Sequence, residues 1–510
     1  MDSSKLAVLV GASQITNHAE HNRDLTPIDL MVKASRSALA DTGVAHLEKH
    51  ITHITACGLT VEAEQAKTPF KGAFNNVPLS VGKRLGVTDA DFLFARPGGN
   101  TPQYLINHFV REIAEGKEIV ALLTGGEALQ SLFQRFSPWY KLLLPWGHWR
   151  EKHTQLPTLI GEDRREMSDV ENRHGINLPS NVYPLFENAL RAHYGHGVDT
   201  HLQKVGALFA KFSHVASENP YAWFQQSRSA EELITPTSSN RMIAYPYTKR
   251  LNSMIMVNQA ASLVLTTESK ALALGVPKDR LIYVHGCADQ NDHWYMSERE
   301  NYYSSPALRS AAKRSLAQAK RSIDDIALLD LYSCFPSAVQ IACDELGIAH
   351  DDARPFTLTG GLPYFGGPGN NYAMHGLAEM VSKLREHPNE YGLLNANGWY
   401  LTKHSVGVYS SIRPQENIDI GQTEQQTLSR ELIPTFAIEP KGAVTIETFT
   451  VIYNKQNKPK KAIIIARDEA DNRVLANSLD PEVLENLLTE DVVGLRGQIR
   501  RRSGKNHFYF

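Results

Sequence analysis

The chain has 510 residues, with 53 Lys plus Arg against 55 Asp plus Glu and a formal net charge of -2. That length exceeds what one hydrophobic core supports, so two to four structural units around a large buried interior are expected. The near-neutral balance excludes a global electrostatic case for nucleic acid or an anionic membrane, and four cysteines without a CxxC pair imply neither a disulfide framework nor a metal site.

In chain order, "KLAVLVGAS" (residues 5–13) is a predicted strand, and residues 26–44 a helix with Thr26 at its cap and Pro27 in its first turn. The stretch "ARPGGNTPQYLINHFVREIAEG" (residues 95–116) runs from a glycine pair into an amphipathic helix, with Leu105, Ile106, Phe109, Val110 and Ile113 at helical spacing. Backbone N–H groups and the positive end of a helix dipole therefore point at something from that turn. Residues 118–129 form an apolar run ending in glycines, the pattern of a buried parallel strand. From 130 to 184 tryptophans, prolines and mixed charge replace periodicity, predicting an inserted cap that shapes a pocket mouth.

Helical spacing returns at 185–195 and 201–219, and a strand with a helix follows over 254–276. Residues 305–348 give helix, strand, turn and helix, echoing the first half, so a duplicated layered α/β body is predicted. From residue 420 the chain is rich in Val, Ile, Thr and aromatics with turns at 454–459 and 468–472. That composition predicts a small β-rich, OB-like unit, the alternative being a strand-rich extension of the second half. The expected division is 1–255, with the cap at 130–184, then 256–419 and 420–510. The tail "RGQIRRRSGK" (496–505) is expected to be a solvated terminus, with phosphate or nucleic-acid contact as the other reading. No run of 18 apolar residues and no leader-like N-terminus is present, so a cytoplasmic protein without a membrane span is expected.

Four blocks in order, "NTPQYLINHFVREIAEGKEIVALLTGGEAL" (100–129), "YSCFPSAVQ" (332–340), "GGLPYFGGPGNNYAMHG" (360–376) and "KHSVGVYS" (403–410), resemble the thiolase superfamily. The resemblance is to sterol-carrier-protein-type thiolases and the thiolase-like protein type 1 group with its added C-terminal domain, and it covers residues 5–415. It implies a duplicated five-layered αβαβα fold, an acyl-CoA thioester as ligand with no other cofactor and a possible homodimer, while the net charge gives the expectation of no nucleic-acid partner.

In that family the helix opening at 100 presents a nucleophilic cysteine, whose position falls here on Gly99, beside Asn100. The activating histidine of a Gly-His-Pro sequence falls on Gly367. Two readings of the Gly98–Gly99 pair stand: a tight strand-to-helix turn, or an emptied nucleophile position. The resemblance leaves Cys334 and His404, with Gly407 in the same loop, as the proton-transfer half of the site. A thiolate–imidazolium pair of Cys334 and His404 would move a proton beside a thioester enolate. Cys334 alone also fits a small buried hydrophobe. Tyr332 stands where the family holds an oxyanion donor, or simply packs, and His375 turns inward to replace the lost imidazole, or caps a helix.

Three functions follow. The first is an acetyl-CoA acetyltransferase-like protein with a degenerate site, whose turnover the sequence leaves open. The second is a non-catalytic acyl-CoA or lipid-binding protein, and the third a retro-aldol lyase that uses tyrosine.

Overall fold

The computed structural model describes residues 2–18, 24–63, 68–137, 147–162, 164–429, 433–502 and 504–510. Up to residue 410 the strands are β1 (Ala7–Thr16), β2 (His53–Cys57), β3 (Asp91–Ala95), β4 (Val120–Ala128), β5 (Thr158–Ile160), β6 (Met242–Ala244), β7 (Tyr247–Thr248), β8 (Asn258–Thr267), β9 (Ile282–Asn291), β10 (Leu328–Leu331), β11 (Tyr391–Gly398) and β12 (Lys403–Ser410), of which β6 and β7 join the sheet of the C-terminal strands. Ten of these run in the order β10-β11-β12-β9-β1-β8-β4-β2-β3-β5.

The order contains the predicted duplication. In the first half β2–β4 is parallel, β4–β8 antiparallel and β8–β1 antiparallel. In the second half β10–β11, β11–β12 and β12–β9 repeat those senses in turn. Among the described residues the strands of the two halves pair through Val8–Tyr283 and Leu9–Ile282. A helix follows the first strand of each half, Pro27–Asp41 after β1 and Pro306–Ala319 after β9, and each lies close on its strand. A Cβ at Gly11 would fall closer than 3.0 Å to the Ala38 carbonyl oxygen, and one at Gly286 to that of Ser315, so both strands need glycine beneath their helix. Thr26 caps the first of these helices as expected, accepting from Asp29 N while Asp29 accepts from Thr26 N.

Helices Thr101–Ala114 and Tyr372–Glu386 pack on each other between the halves, the first against β9 and β12, the second against β1 and β8. They form the middle layer of the five. Leu105, Ile106, Phe109, Val110 and Ile113 are all buried, as their spacing predicts.

Several elements depart from the sequence reading. Strand β8, read as the opening of the second half, is hydrogen-bonded between β1 and β4 and completes the first. Within the expected cap, β5 pairs in parallel with β3 and covers that edge, and the helix Pro179–His193 begins before residue 185, with Pro184 inside it. Residues 138–146 of the cap lie outside the described residues.

The C-terminal strands are β13 (Gly442–Tyr453), β14 (Pro459–Asp468), β15 (Arg473–Ser478), β16 (Arg496–Arg502) and β17 (Lys505–Tyr509). They close a ring, β13-β14-β15-β17-β16-β13, with a parallel β15–β17 contact and the helix Pro481–Thr489 between β15 and β16. This is a small OB-like barrel. Val444, Phe449, Ile464, Val474, Leu487 and Phe508 fill it. Residues 496–502 of the basic segment are therefore strand, not a frayed end: Gly497 and Ile499 turn inward and Arg496, Gln498 and Arg500 outward.

One buried acid makes stability depend on pH. Glu127, 3% exposed at the end of β4, accepts from Thr60 N and Oγ1 at 2.6 and 2.7 Å, and burial pushes its carboxyl up to about 7. Its folded value lies above the unfolded one, so its stabilisation is complete at low pH and is lost as pH rises through about 7. Glu127→Gln is expected to flatten the fall in melting temperature between about pH 4.5 and about pH 7, leaving the share of Asp330, which burial also raises to about 7. Thermal scans that fall equally steeply for both proteins would show that Glu127 does not titrate there.

Candidate functional site

Helix Thr101–Ala114 starts at the sheet end, and Asn100 precedes it without a side-chain cap bond. The glycines before it are not in left-handed conformations, so a tight turn is not what requires them. Space is. A Cβ on Gly98 would fall closer than 3.0 Å to Asn100 Oδ1, and one on Gly99 closer than 3.0 Å to both the Tyr332 hydroxyl and the Asn397 carbonyl oxygen. The volume a side chain at 99 would need is filled by a phenol and a backbone carbonyl.

Tyr332 and Cys334 follow β10 and are 6% and 8% exposed. The Tyr332 backbone donates to Asn395 Oδ1 at 3.0 Å, which fixes the loop against β11. Burial pushes the Tyr332 phenol well above its ordinary value, so it is a neutral O–H. Burial likewise pushes the Cys334 thiol up to about 12, partly offset by hydrogen bonds from Tyr183 and Asn397. The Tyr183 hydroxyl lies 3.2 Å from Asn397 Oδ1 and 2.9 Å from the Trp399 carbonyl oxygen. Trp399 and Leu401 hold positive φ values of 60° and 55° in the β11–β12 turn, and Arg299 donates to the Tyr400 and Leu401 carbonyls at 3.0 and 2.7 Å. Those bonds hold a strained turn at the edge of the site.

The expected Cys334–His404 pair does not form. Side chains alternate along β12, and Ser405, not His404, faces the helix Thr101–Ala114. His404 Nε2 lies 3.1 Å from Ser305 Oγ and 3.0 Å from the Leu401 carbonyl, on the side of helix Pro306–Ala319. Burial lowers its imidazole to about 4, so thiol and imidazole are both neutral near pH 7. His375 is fully buried beside the Phe365 ring with Nδ1 3.0 Å from Gln14 Oε1, and burial lowers it to about 3. It neither caps its helix nor meets Tyr332 or Cys334. Gly367 donates to the Met254 carbonyl at 2.8 Å, and a Cβ there would have its nearest neighbour at 3.4 Å. Gly407 lets Gln103 approach β12, since a Cβ there would fall closer than 3.0 Å to Gln103 Nε2. Its part is helix packing, not an oxyanion contact. The structure thus brings together Gly99, Asn100, Tyr332 and Cys334; His404 lines a cavity with Asn100 while bonding to Ser305 and the Leu401 carbonyl, and His375, Gly367 and Gly407 lie apart.

Residues the motifs did not single out complete the site. Asn100 Nδ2 donates to Ser405 Oγ at 3.1 Å, Ser405 donates to Asp289 Oδ1 at 2.6 Å, and Asp289 also accepts from Asn107 and Arg111, each at 2.8 Å. Burial raises the Asp289 carboxyl and Arg111 opposes that rise. A cavity of about 420 Å³ adjoins this chain, lined by Arg96, Asn100, Tyr104, Arg111, Glu162 and Lys403 among others. It opens on the Asn100 side of the helix end, not over Tyr332 or Cys334. Asn100 Oδ1 is buried there with no hydrogen-bond partner. Gly161 and Glu162, from the expected cap, do line it.

Comparison with known proteins agrees with this architecture. The sequence model of the thiolase-like protein type 1 additional C-terminal domain matches residues 424–503. A monomeric SCP2-thiolase-like protein type 1 from Mycobacterium smegmatis is 32% identical, with 100% of each chain covered and a TM-score of 0.82. An acetyl-CoA acetyltransferase from Syntrophomonas wolfei is 14% identical over 80% of this chain and 99% of its own, with a TM-score of 0.57. Human mitochondrial 3-ketoacyl-CoA thiolase is 14% identical over 81% and 100%, with a TM-score of 0.56. The last two share the fold of the body. No curated protein sequence matches the chain. Among the described residues no helix is long and apolar enough to cross a membrane.

Proposed function

Since the chain belongs to the SCP2-thiolase-like protein type 1 family, we propose that it binds an acyl thioester of coenzyme A noncovalently at the N-terminal end of helix Thr101–Ala114. One observation carries this: the Tyr332 hydroxyl and the Asn397 carbonyl occupy the space of the missing nucleophile's side chain. The neutral Cys334 thiol, bonded to Tyr183 and Asn397 and without an imidazole partner, supports the same reading, because the thiolate is the attacking form. The cavity beside Asn100 suits the ligand's polar arm. Asn100 Oδ1 lacks a donor, which an amide N–H would supply, and Arg96 and Lys403 on the wall suit phosphate oxygens.

A second reading rests on Tyr332 itself. Its hydroxyl makes no hydrogen bond among the described residues and stays protonated, so in retro-aldol cleavage of a 3-hydroxyacyl thioester it can give its proton to C2 as the C2–C3 bond breaks and take the 3-hydroxyl proton in return, leaving a carbonyl product and a shortened thioester. The relative described as monomeric, and the covering of β3 by β5, support a single working copy over the homodimer. Calorimetric titration tests both readings: acetyl-CoA is expected to bind saturably with no acetyl group retained. A 3-hydroxyacyl-CoA that releases a carbonyl product in the wild type and not in Tyr332→Phe would select the second. Absence of binding by either thioester would remove both.

A further inference from the structure

The near-neutral net charge hides a local excess. Residues 496–510 hold four arginines and one lysine and no acidic residue. Residues 496–502 and 505–509 of this segment form β16 and β17, an antiparallel pair whose register sets Gln498 against Tyr509, Arg500 against His507 and Arg502 against Lys505. Ile499, Asn506 and Phe508 are buried, whereas Gln498, Arg500, Arg502 and Lys505 are exposed and His507 and Tyr509 partly so. The outer face is thus three successive rungs of cations and rings.

Two features of this face call for an anionic partner. Arg502 and Lys505 stand directly opposite each other, an arrangement that costs stability unless something neutralises it. Among the described residues no carboxylate pairs with Arg500, Arg502 or Lys505; only the neighbouring Arg501 has one, Glu439. Lys461 adds to the excess from β14, its ammonium lowered by burial and by the nearby Lys505 and Lys460. The rings are set among these charges: the Arg500 guanidinium lies 5.1 Å from the centre of the Tyr509 ring.

The face through which OB barrels usually take oligonucleotides is closed here. Outward residues of β14 and β15, Ile463, Ile465 and Leu475, are buried in the core of the body, and Asn477 Nδ2 donates to the His174 carbonyl at 2.8 Å. The β16–β17 face is left open.

We propose that this outer face binds single-stranded nucleic acid. Successive outward positions on a strand are about 6.6 Å apart, so Arg500 and Arg502 can follow consecutive phosphates while Tyr509 and His507 offer ring faces to unstacked bases. A lipid surface would be met by apolar side chains set among the cations, whereas here the exposed Leu495 and Phe510 stand at the open end of the hairpin and the face beyond them carries cations with the His507 and Tyr509 rings. The expectation of no nucleic-acid partner came from net charge averaged over the chain, which this segment does not share.

The test is fluorescence anisotropy of the full chain with a labelled oligothymidylate of about 15 nucleotides at several salt concentrations. Three phosphate contacts predict a log–log salt slope of about -2. Arg500→Gln/Arg502→Gln/Lys505→Gln is expected to weaken binding at least tenfold and flatten the slope. Tyr509→Ala is expected to weaken it about tenfold with the slope unchanged. An abasic oligomer of equal length should bind at least tenfold less tightly. Failure to bind at about 50 mM salt, unchanged affinity in the triple variant, or equal binding of the abasic oligomer or of phosphatidylserine vesicles would overturn the proposal.

Discussion

Gly99→Cys is expected to destabilise the protein by about 3 kcal/mol and to give no thiolase turnover, alone or with Gly367→His, because an added Cβ overpacks a filled site. Sequence comparison alone suggests the opposite, that restoring both family residues repairs the enzyme. The imidazole half is sterically open, with 3.4 Å to its nearest neighbour, but the nucleophile half is closed by the Tyr332 hydroxyl and by the Asn397 backbone, which cannot rotate away. Tyr332→Phe in the same background removes the hydroxyl and is expected to recover only part of the loss, since Asn397 stays. Urea denaturation of the three variants measures this. A Gly99→Cys protein as stable as the wild type, and acylated by acetyl-CoA, would show that the site opens in solution.

Breaking the Arg473 anchor is the second large effect expected. Arg473 is fully buried where the barrel meets the body, paired with Glu447 at 2.5 and 3.0 Å, with its guanidinium 4.8 Å from the Tyr302 ring centre. It also donates to the carbonyls of Arg299, Glu300 and Ser297, which belong to the body. Arg473→Met keeps volume but leaves Glu447 with Arg467 as its remaining cation and takes a donor from the Arg299 and Ser297 carbonyls, a loss of about 3 kcal/mol. Arg473→Lys is expected to regain part of it, because an ammonium restores a cation beside Glu447 without the guanidinium's second and third donors. A single variant within about 0.5 kcal/mol of the wild type would mean that apolar contacts such as Ile463, Ile465 and Leu475 hold the barrel alone. The same junction steadies the site, since Thr448 Oγ1 donates to the Leu185 carbonyl of the helix that carries Tyr183.

What the sequence made legible was local or ordered along the chain. Thr26 and Asp29 cap their helix through atoms three residues apart, and the apolar spacing of 105–113 is a property of one helix. The duplication was visible because each half repeats its elements in the same order. The site was less legible, because its decisive contact joins Gly99 to Tyr332 across the whole fold. Matching letters paired His404 with Cys334, whereas in the fold its ring meets Ser305; the neighbouring Ser405 and Lys403 share the face of Gly407, and that parity was available in "KHSVG". Strand β5 spans only Thr158–Ile160, too short for any periodicity, and it is partnered by a strand far away in sequence. The tail 496–505 did carry its alternation, but its charge obscured Gly497 and Ile499 turning inward.

Intact-protein mass spectrometry after incubation with saturating acetyl-CoA tests the central claim most directly. An unmodified chain mass is predicted, under conditions where calorimetry shows the thioester bound. A stable acetyl adduct mapped to Cys334 would contradict it, showing that this buried thiol reaches its thiolate and that the protein forms an acyl-enzyme.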